Sequence, residues 1–179
     1  MSEIRKQPRE LSIKPETTSE ERTWAALAHI SAIATLLLGV PTGGLGGLLL
    51  VFIPFGIYLA YKDKSRYVTE QAAQAFALQI VATVGFLVAI LVGTIVMVLA
   101  WVITGILSVI VIGIILIPIA LLLTLAIVLI WFALPLAVGA LSIVAAIETG
   151  NGREYSYPYL GERVLSWLAQ HEADSVSAV

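Results

Sequence analysis

Two long stretches without a charged residue dominate the pattern of apolar and polar positions along this chain. The first runs from Trp24 to Tyr61, and the second covers the 77 residues from Gln71 to Ile147. As one helix the second stretch would measure roughly 115 Å at about 1.5 Å per residue, whereas the hydrocarbon core of a bilayer is about 30 Å thick. One membrane crossing therefore cannot hold this stretch, while two long crossings can and three are conceivable.

Capping and breaker signals divide these stretches into four predicted spans, at about 23–40, 45–61, 71–103 and 118–147. Thr18 and Glu21 form a predicted capping box ahead of the first span, which ends at the proline-glycine cluster 41–44. Pro54 predicts a kink in the second span, and Pro118 suits the first turn of the fourth.

Residues 104–117 belong to none of these spans, because they are too apolar for an aqueous loop. They either extend both neighbouring helices or form a hairpin turn within the membrane. A five-span alternative uses Trp101 and Trp131 as opposite interfacial belts. Its last three spans would lie at about 74–100, 103–130 and 132–148.

The polar segments outside the spans predict a transmembrane domain over 21–149 with a tail at each end. Residues 1–20 are expected to form a disordered cytoplasmic tail, and residues 150–179 a cytoplasmic C-terminal tail. Part of this second tail either forms a short amphipathic segment on the membrane surface or is poorly ordered. The positions at helical spacing in it are Leu160, Val164, Trp167, Leu168 and His171.

Composition places the chain in the class of polytopic integral membrane proteins, as an all-α helical bundle. Hydrophobic residues make up 59% of the chain and charged residues 12%, against about 45–50% and about 25% in soluble domains. The absence of cysteine leaves no disulfide and no thiolate metal site. A net charge of −2 does not indicate a nucleic-acid partner, so the expected partners are the lipid bilayer, other membrane proteins and the chain itself.

The distribution of basic residues predicts the orientation. With four spans, every lysine and arginine falls on one side of the membrane, which the positive-inside rule makes cytoplasmic. Both termini would then be cytoplasmic. The ten basic residues are Arg5, Lys6, Arg9, Lys14, Arg22, Lys62, Lys64, Arg66, Arg153 and Arg163.

Five polar residues inside or beside the spans form a candidate intramembrane polar site. His29 lies in the first span, where an ionisable group is a functional hypothesis by default. The alternative is a neutral imidazole that is hydrogen-bonded to a neighbouring helix. Glu70, Gln71 and Gln74 share a face at the start of the third span, and Gln79 lies deeper and points elsewhere. These side chains could line a polar entrance or bind a partner, or they could only join helices.

A stripe of small residues on the third span, at Gly85, Ala89 and Gly93, predicts close packing of helix backbones, either inside the bundle or in a dimer. The glycines at 43–47 do not form a phosphate-binding loop, because no lysine followed by serine or threonine comes after them and no strand precedes them. No catalytic triad, pair of carboxylates in lipid or metal-ligand spacing occurs in the sequence. The chain is therefore not expected to be an enzyme or to bind a cofactor.

Four segments, in order, resemble a widespread group of small bacterial membrane proteins of unknown function. Residues 21–31 (ERTWAALAHIS) are similar to its opening A-x-L-x-H-L-S run, and residues 61–68 (YKDKSRYV) to its K-K-D-x-S-x-F-V connector. Residues 70–79 (EQAAQAFALQ) are similar to its H-x-K-E-A-L-N-F-Q segment, and residues 145–158 (AAIETGNGREYSYP) to its closing motif. The group is related to the Tic-twenty-like proteins of the chloroplast inner envelope.

This resemblance implies four helices in the cytoplasmic membrane of a bacterium and supplies no activity. The chloroplast relatives are linked to protein import as a channel component, which gives a second hypothesis beside that of a non-enzymatic subunit, scaffold or assembly factor. Gln71, Ala73 and Ala75 depart from the polar residues of the group. The matching motif residues are Arg22, His29, Ser31, Asp63, Gln79, Gly152, Tyr155, Tyr157 and Pro158.

Overall fold

A computed structural model describes residues 17–39, 42 and 45–177. Residues 1–16 of the tail predicted to be disordered over 1–20, and most of the predicted turn at 41–44, lie outside the described residues, while α1 already begins at Ser19 within that tail. Every regular element within the described part is a helix, which confirms the all-α prediction. The helices are α1 (Ser19–Gly39), α2 (Leu45–Leu50), α3 (Ile53–Tyr61), α4 (Arg66–Ser108), α5 (Ile112–Gly150) and α6 (Gly161–Ser177).

The helices form one bundle with a long hairpin. Helix α1 packs against α2, α4 and α5, α3 packs against α4, and α4 and α5 lie side by side as the hairpin. Helices α1, α4 and α5 are long and apolar enough to cross a membrane, and Gly46–Tyr61 is a shorter apolar segment. We call the end where α1 and α4 begin and α3 and α5 end the base, and the turn between α4 and α5 the tip.

The core lies at the base and consists largely of small side chains. Ala28, Ala72 and Ala75 pack there with Ile57 and Val68, all buried. Alanines let the helix backbones approach closely, as in other membrane bundles. Towards the tip most large apolar side chains of α4 and α5 are exposed, as expected for surfaces that face lipid.

Local hydrogen bonds explain where the helices begin. The predicted capping box is confirmed: the Thr18 amide donates to Glu21 Oε2 at 2.8 Å, and the Glu21 amide donates to Thr18 Oγ1 at 3.2 Å. Helix α4 begins at Arg66, five residues before the predicted Gln71, because the Ser65 hydroxyl accepts from the Val68 amide at 3.3 Å. The second predicted span is two helices, since Pro54 has no amide hydrogen to continue α2.

Residues 104–117 lengthen both helices and supply the turn between them. Helix α5 is continuous through 131–135, where the five-span alternative needs a turn, and that alternative is therefore wrong. The expectation that Pro118 occupies a first helical turn is also wrong, because α5 begins at Ile112 and encloses Pro118 and Pro135. Val111 has a left-handed φ of 66° at the tip, which is strained for a β-branched residue.

Candidate functional site

His29 is the centre of a polar cluster at the base. Its side chain is 1% exposed. Its Nε2 lies 3.1 Å from Gln71 Oε1 on α4, and its Nδ1 lies 2.9 Å from the Tyr157 hydroxyl in the segment after α5. One imidazole thus joins α1, α4 and the C-terminal segment.

A single ring proton satisfies both contacts of this imidazole. Gln71 Oε1 can only accept, so Nε2 carries the hydrogen and donates it. Burial raises the pKa of the Tyr157 phenol above its ordinary value, so the phenol keeps its proton and donates to Nδ1. A neutral His29 is therefore fully hydrogen-bonded between two neutral partners.

The segment that follows α5 covers this cluster. The Tyr157 amide donates to Gln74 Oε1 at 3.3 Å, and the Tyr155 and Tyr157 rings meet edge to face with centroids 5.1 Å apart. The Tyr157 ring also meets the His29 ring edge to face at 5.4 Å. Ser142 of α5 adjoins the Tyr157 phenol, but its fully buried Oγ has no hydrogen-bond partner within the described chain.

Gln79 forms a second contact between α4 and α1, deeper in the bundle. Its Nε2 donates to Ser31 Oγ at 2.8 Å, and its Oε1 accepts from Thr35 Oγ1 at 3.3 Å. The expectation that Gln79 points elsewhere is only partly right, because it contacts the same helix as Gln71 while lying apart from His29. The two contacts together hold α1 against α4 through neutral groups.

Glu70 lies outside the cluster, although the helical spacing grouped it with Gln71 and Gln74. Its Oε1 pairs with Arg66 Nε at 2.6 Å on the surface of the base. Asp63 is exposed in the connector between α3 and α4. The structure thus brings His29, Gln71 and Gln74 into one cluster with Tyr157, places Gln79 in a separate contact with α1, and places the carboxylate elsewhere.

The other motif residues shape the segment after α5. Gly152 has φ +76°, and a Cβ there would approach Arg22 Nε within 2.9 Å, so glycine is required both for the backbone and for space. Arg22 Nε itself donates to Thr17 Oγ1 at 2.9 Å. Pro158 begins the turn that leads into α6, and its carbonyl accepts from the Leu160 amide at 2.7 Å.

The small-residue stripe divides into an internal part and an open part. A Cβ on Gly93 would lie 2.9 Å from Ile127 Cγ2 and from Trp131 Cζ2, whereas a Cβ on Gly85 would meet nothing within 4 Å. The carbonyl of Ala89 accepts from Trp131 Nε1 at 3.0 Å. Gly93 and Ala89 therefore belong to the α4–α5 contact, and Gly85 does not.

Two further links at the base were not predicted from the sequence. Ser65 Oγ donates to Glu21 Oε1 at 2.6 Å, which joins the start of α4 to the start of α1. The Tyr67 hydroxyl donates to the carbonyls of Thr149 and Arg153 at 2.9 and 3.0 Å. The sequence signal for these links was a hydroxyl side chain next to the start of a helix, as at Ser65 and Tyr67. Such a group can cap its own helix and also bond to another one.

Helix α6 begins where the C-terminal amphipathic spacing predicted a helix. It packs against α4 near the connector, where Leu165 and Leu168 line a cavity of about 280 Å³ together with Lys62, Lys64 and Thr69. Its Trp167 is half-exposed and lies against His171, with ring centroids 4.1 Å apart and the rings tilted by 39°. The amphipathic helix α6 therefore lies at the base, beside the connector between α3 and α4.

The arrangement can tie helices together but offers no reacting pair. Its members are an imidazole, amides, a phenol and hydroxyls, of which all but Ser142 are bonded to one another or to backbone. Over 17–39, 42 and 45–177 no group of three or more His, Cys, Asp or Glu side chains could hold a metal ion.

The fold and the polar cluster around His29 define a helical membrane protein. Neutral hydrogen bonds of this cluster join its helices at the base. The chain belongs to the magnetosome magnetite crystal formation protein family, whose model matches residues 20–165. No curated protein sequence and no solved structure matches the chain. A bacterial membrane family agrees with the resemblance described above, whereas no comparison supports a relationship to the Tic-twenty-like proteins.

Proposed function

We propose that the chain is a non-enzymatic subunit or scaffold of a bacterial membrane compartment in which magnetite crystals form. It crosses the membrane four times, through α1, the α2–α3 segment, α4 and α5. Both tails and the connector lie on the cytoplasmic side, as the basic residues predict. The protein acts through helix contacts with other membrane proteins or with further copies of itself.

One observation carries this proposal: the base cluster joins family-matched segments from both halves of the chain. His29, Gln71 and Tyr157 all lie within the matched residues 20–165 and bond to one another across α1, α4 and the C-terminal segment. A set of neutral hydrogen bonds favours a fixed framework over a site for turnover or transport, because every polar group of the cluster except the Ser142 hydroxyl already has its partner. The family description supplies the process.

A replacement experiment in a magnetite-forming bacterium tests the role in crystal formation. Expression of the chain in a strain that lacks its own family member should return crystal number and size towards the wild-type values, counted by electron microscopy. The empty vector is the control. Crystals that stay unchanged although the chain is present in the membrane fraction would contradict the proposed process.

Extraction of the chain from the same strain in mild detergent tests the proposed mode of action. A scaffold or subunit is expected to elute with partner proteins or as a stable oligomer. Elution as a monomer in every mild detergent would contradict the proposed role as a scaffold or subunit. It would leave the proposed role in crystal formation in place.

The second candidate is a channel or translocation component, as the Tic-twenty-like resemblance implies. It requires a water path past Gln74 and Gln79, whereas both side chains are buried and hydrogen-bonded. In native membranes the variants Gln74→Cys and Gln79→Cys are therefore expected to resist water-soluble thiol reagents. Asp63→Cys, in the exposed connector, is the reactive control. Labelling of the two buried positions at the rate of the control would favour the channel.

A further inference from the structure

The α4–α5 hairpin is much longer than the rest of the bundle. Helix α4 has 43 residues and α5 has 39, whereas α1 has 21. At about 1.5 Å per residue these helices measure roughly 64, 58 and 32 Å. Helix α1 matches a hydrocarbon core of about 30 Å, and the hairpin exceeds it almost twofold.

A tilt of the helices in the bilayer cannot accommodate the excess length of the hairpin. Membrane helices tilt by up to about 40°, and at that angle a helix leaves a 30 Å core after roughly 26 residues. Counted from Gln71 on α4 and from Thr149 on α5, the helices pass the far side of the core near residues 97 and 123. Residues 98–122, the tip segment, therefore lie beyond the hydrocarbon core of the bilayer that holds α1.

The tip segment has the surface of a part immersed in hydrocarbon. It contains no charged residue. The four consecutive turn residues from Val109 to Ile112 are each more than half exposed, as are Ile106 and Ile115. Exposure in every direction distinguishes this segment from a dimer face, since a second copy would cover only one side of it.

Several polar groups of the tip segment are hydrogen-bonded within the segment, as hydrocarbon favours. The amides of Val109, Ile110 and Val111 donate to carbonyls three residues earlier, at 3.2–3.3 Å. Thr104 and Ser108 hydroxyls donate to backbone carbonyls at 2.7 Å. These amides and hydroxyls therefore need no water as a partner.

An aromatic and hydroxyl zone separates the tip turn from the base. Trp131 lies roughly 27 Å from the base and Trp101 roughly 45 Å, counted along the helices at about 1.5 Å per residue. Trp101 Nε1 donates to Thr124 Oγ1 at 3.0 Å. Tryptophan and threonine suit the interfacial region of a bilayer, so this zone fits the headgroups between two lipid layers.

We propose that the part of the tip segment beyond Trp101 inserts into the hydrocarbon of a second lipid layer apposed to the first, so that the protein bridges two membranes. The inference rests on the membrane orientation given under the proposed function. Because the tip segment is uncharged, the bridging should not depend on anionic lipid or on salt concentration.

The test uses the full chain with a single cysteine, since the natural sequence has none. Ile115→Cys in the tip segment and Leu87→Cys nearer the base, both exposed, are labelled with a fluorophore and reconstituted in phosphatidylcholine vesicles. Acceptor phosphatidylcholine vesicles with nitroxide-labelled acyl chains are then added. We expect severalfold stronger quenching at Ile115→Cys than at Leu87→Cys, at low and at high salt.

Equal quenching at the two positions by the acceptor vesicles would overturn the inference, as would cross-linking of Ile115→Cys pairs, which indicates a second copy. Ile110→Lys, a change at the exposed turn that leaves the base intact, should reduce bridging severalfold, and unchanged bridging would also overturn it. Nitroxide lipid in the donor bilayer is a separate readout. If it fails to quench Leu87→Cys, the proposed membrane orientation is what fails.

Discussion

Replacing His29 by leucine is expected to lower the free energy of unfolding by about 1–3 kcal/mol, because it leaves buried polar groups without partners. The imidazole bonds Gln71 Oε1 and the Tyr157 hydroxyl, and leucine can serve neither. Interhelical hydrogen bonds in membranes average only about 0.6 kcal/mol. The larger loss expected here reflects two groups that become unsatisfied in a closed site. Thermal or denaturant unfolding in detergent micelles measures the change.

His171→Leu is the matched control for this substitution. His171 is exposed on α6, and within the described part of the chain its Nδ1 bonds to the Trp167 carbonyl, one turn earlier. Its replacement should change stability by less than about 0.5 kcal/mol, as for most surface substitutions. If His29→Leu unfolds together with His171→Leu and the wild type, the base cluster contributes nothing to stability and the proposed framework loses its support.

Replacing Gly93 by leucine should destabilise the α4–α5 hairpin by about 1–3 kcal/mol, the usual cost of overpacking. Even a Cβ at this position would press on Ile127 and on Trp131 at 2.9 Å. Trp131 cannot easily move, because its Nε1 donates to the carbonyl of Ala89. Unfolding of the purified variant in detergent, followed by circular dichroism, reports the loss.

The same substitution at Gly85 should act in the opposite direction. Nothing lies within 4 Å of a Cβ at this position, and removing a glycine from a helix interior gains about 0.5–1 kcal/mol. A clear loss of stability in Gly85→Leu would contradict the open face and would indicate a partner helix there. Equal effects at Gly85 and Gly93 would contradict the division of the stripe.

The sequence predicts the helices well because membrane helices are specified by long apolar runs. Helix ends were predictable where a side chain caps them, as with Thr18 and Glu21. They were missed where a span extends beyond its apolar run, as at Arg66. The prediction that Pro118 occupies a first turn was wrong because a proline within a membrane helix is tolerated. A proline that suits the first turn of a helix therefore also fits the interior of a helix.

The base cluster was predictable only in its parts. His29, Gln71 and Tyr157 each stood out as polar residues or motif residues, yet His29 and Tyr157 are 128 residues apart. Helical periodicity relates residues within one helix, and no local pattern states which residues from distant segments meet. For the same reason Glu70 was grouped with its helical neighbours, although solvent at the base gives its carboxylate a more favourable position beside Arg66.

The charge-free length of the hairpin also constrains how the protein is made. At about 5–20 residues per second, a ribosome takes roughly 4–15 s to deliver the 77 residues from Gln71 to Ile147. Neither helix can remain in water for that time without exposing a large apolar surface. The turn at the tip contains no charged residue that would have to cross the membrane. Both helices can therefore enter the membrane as a pair. Synthesis without a membrane or detergent is therefore expected to yield aggregate.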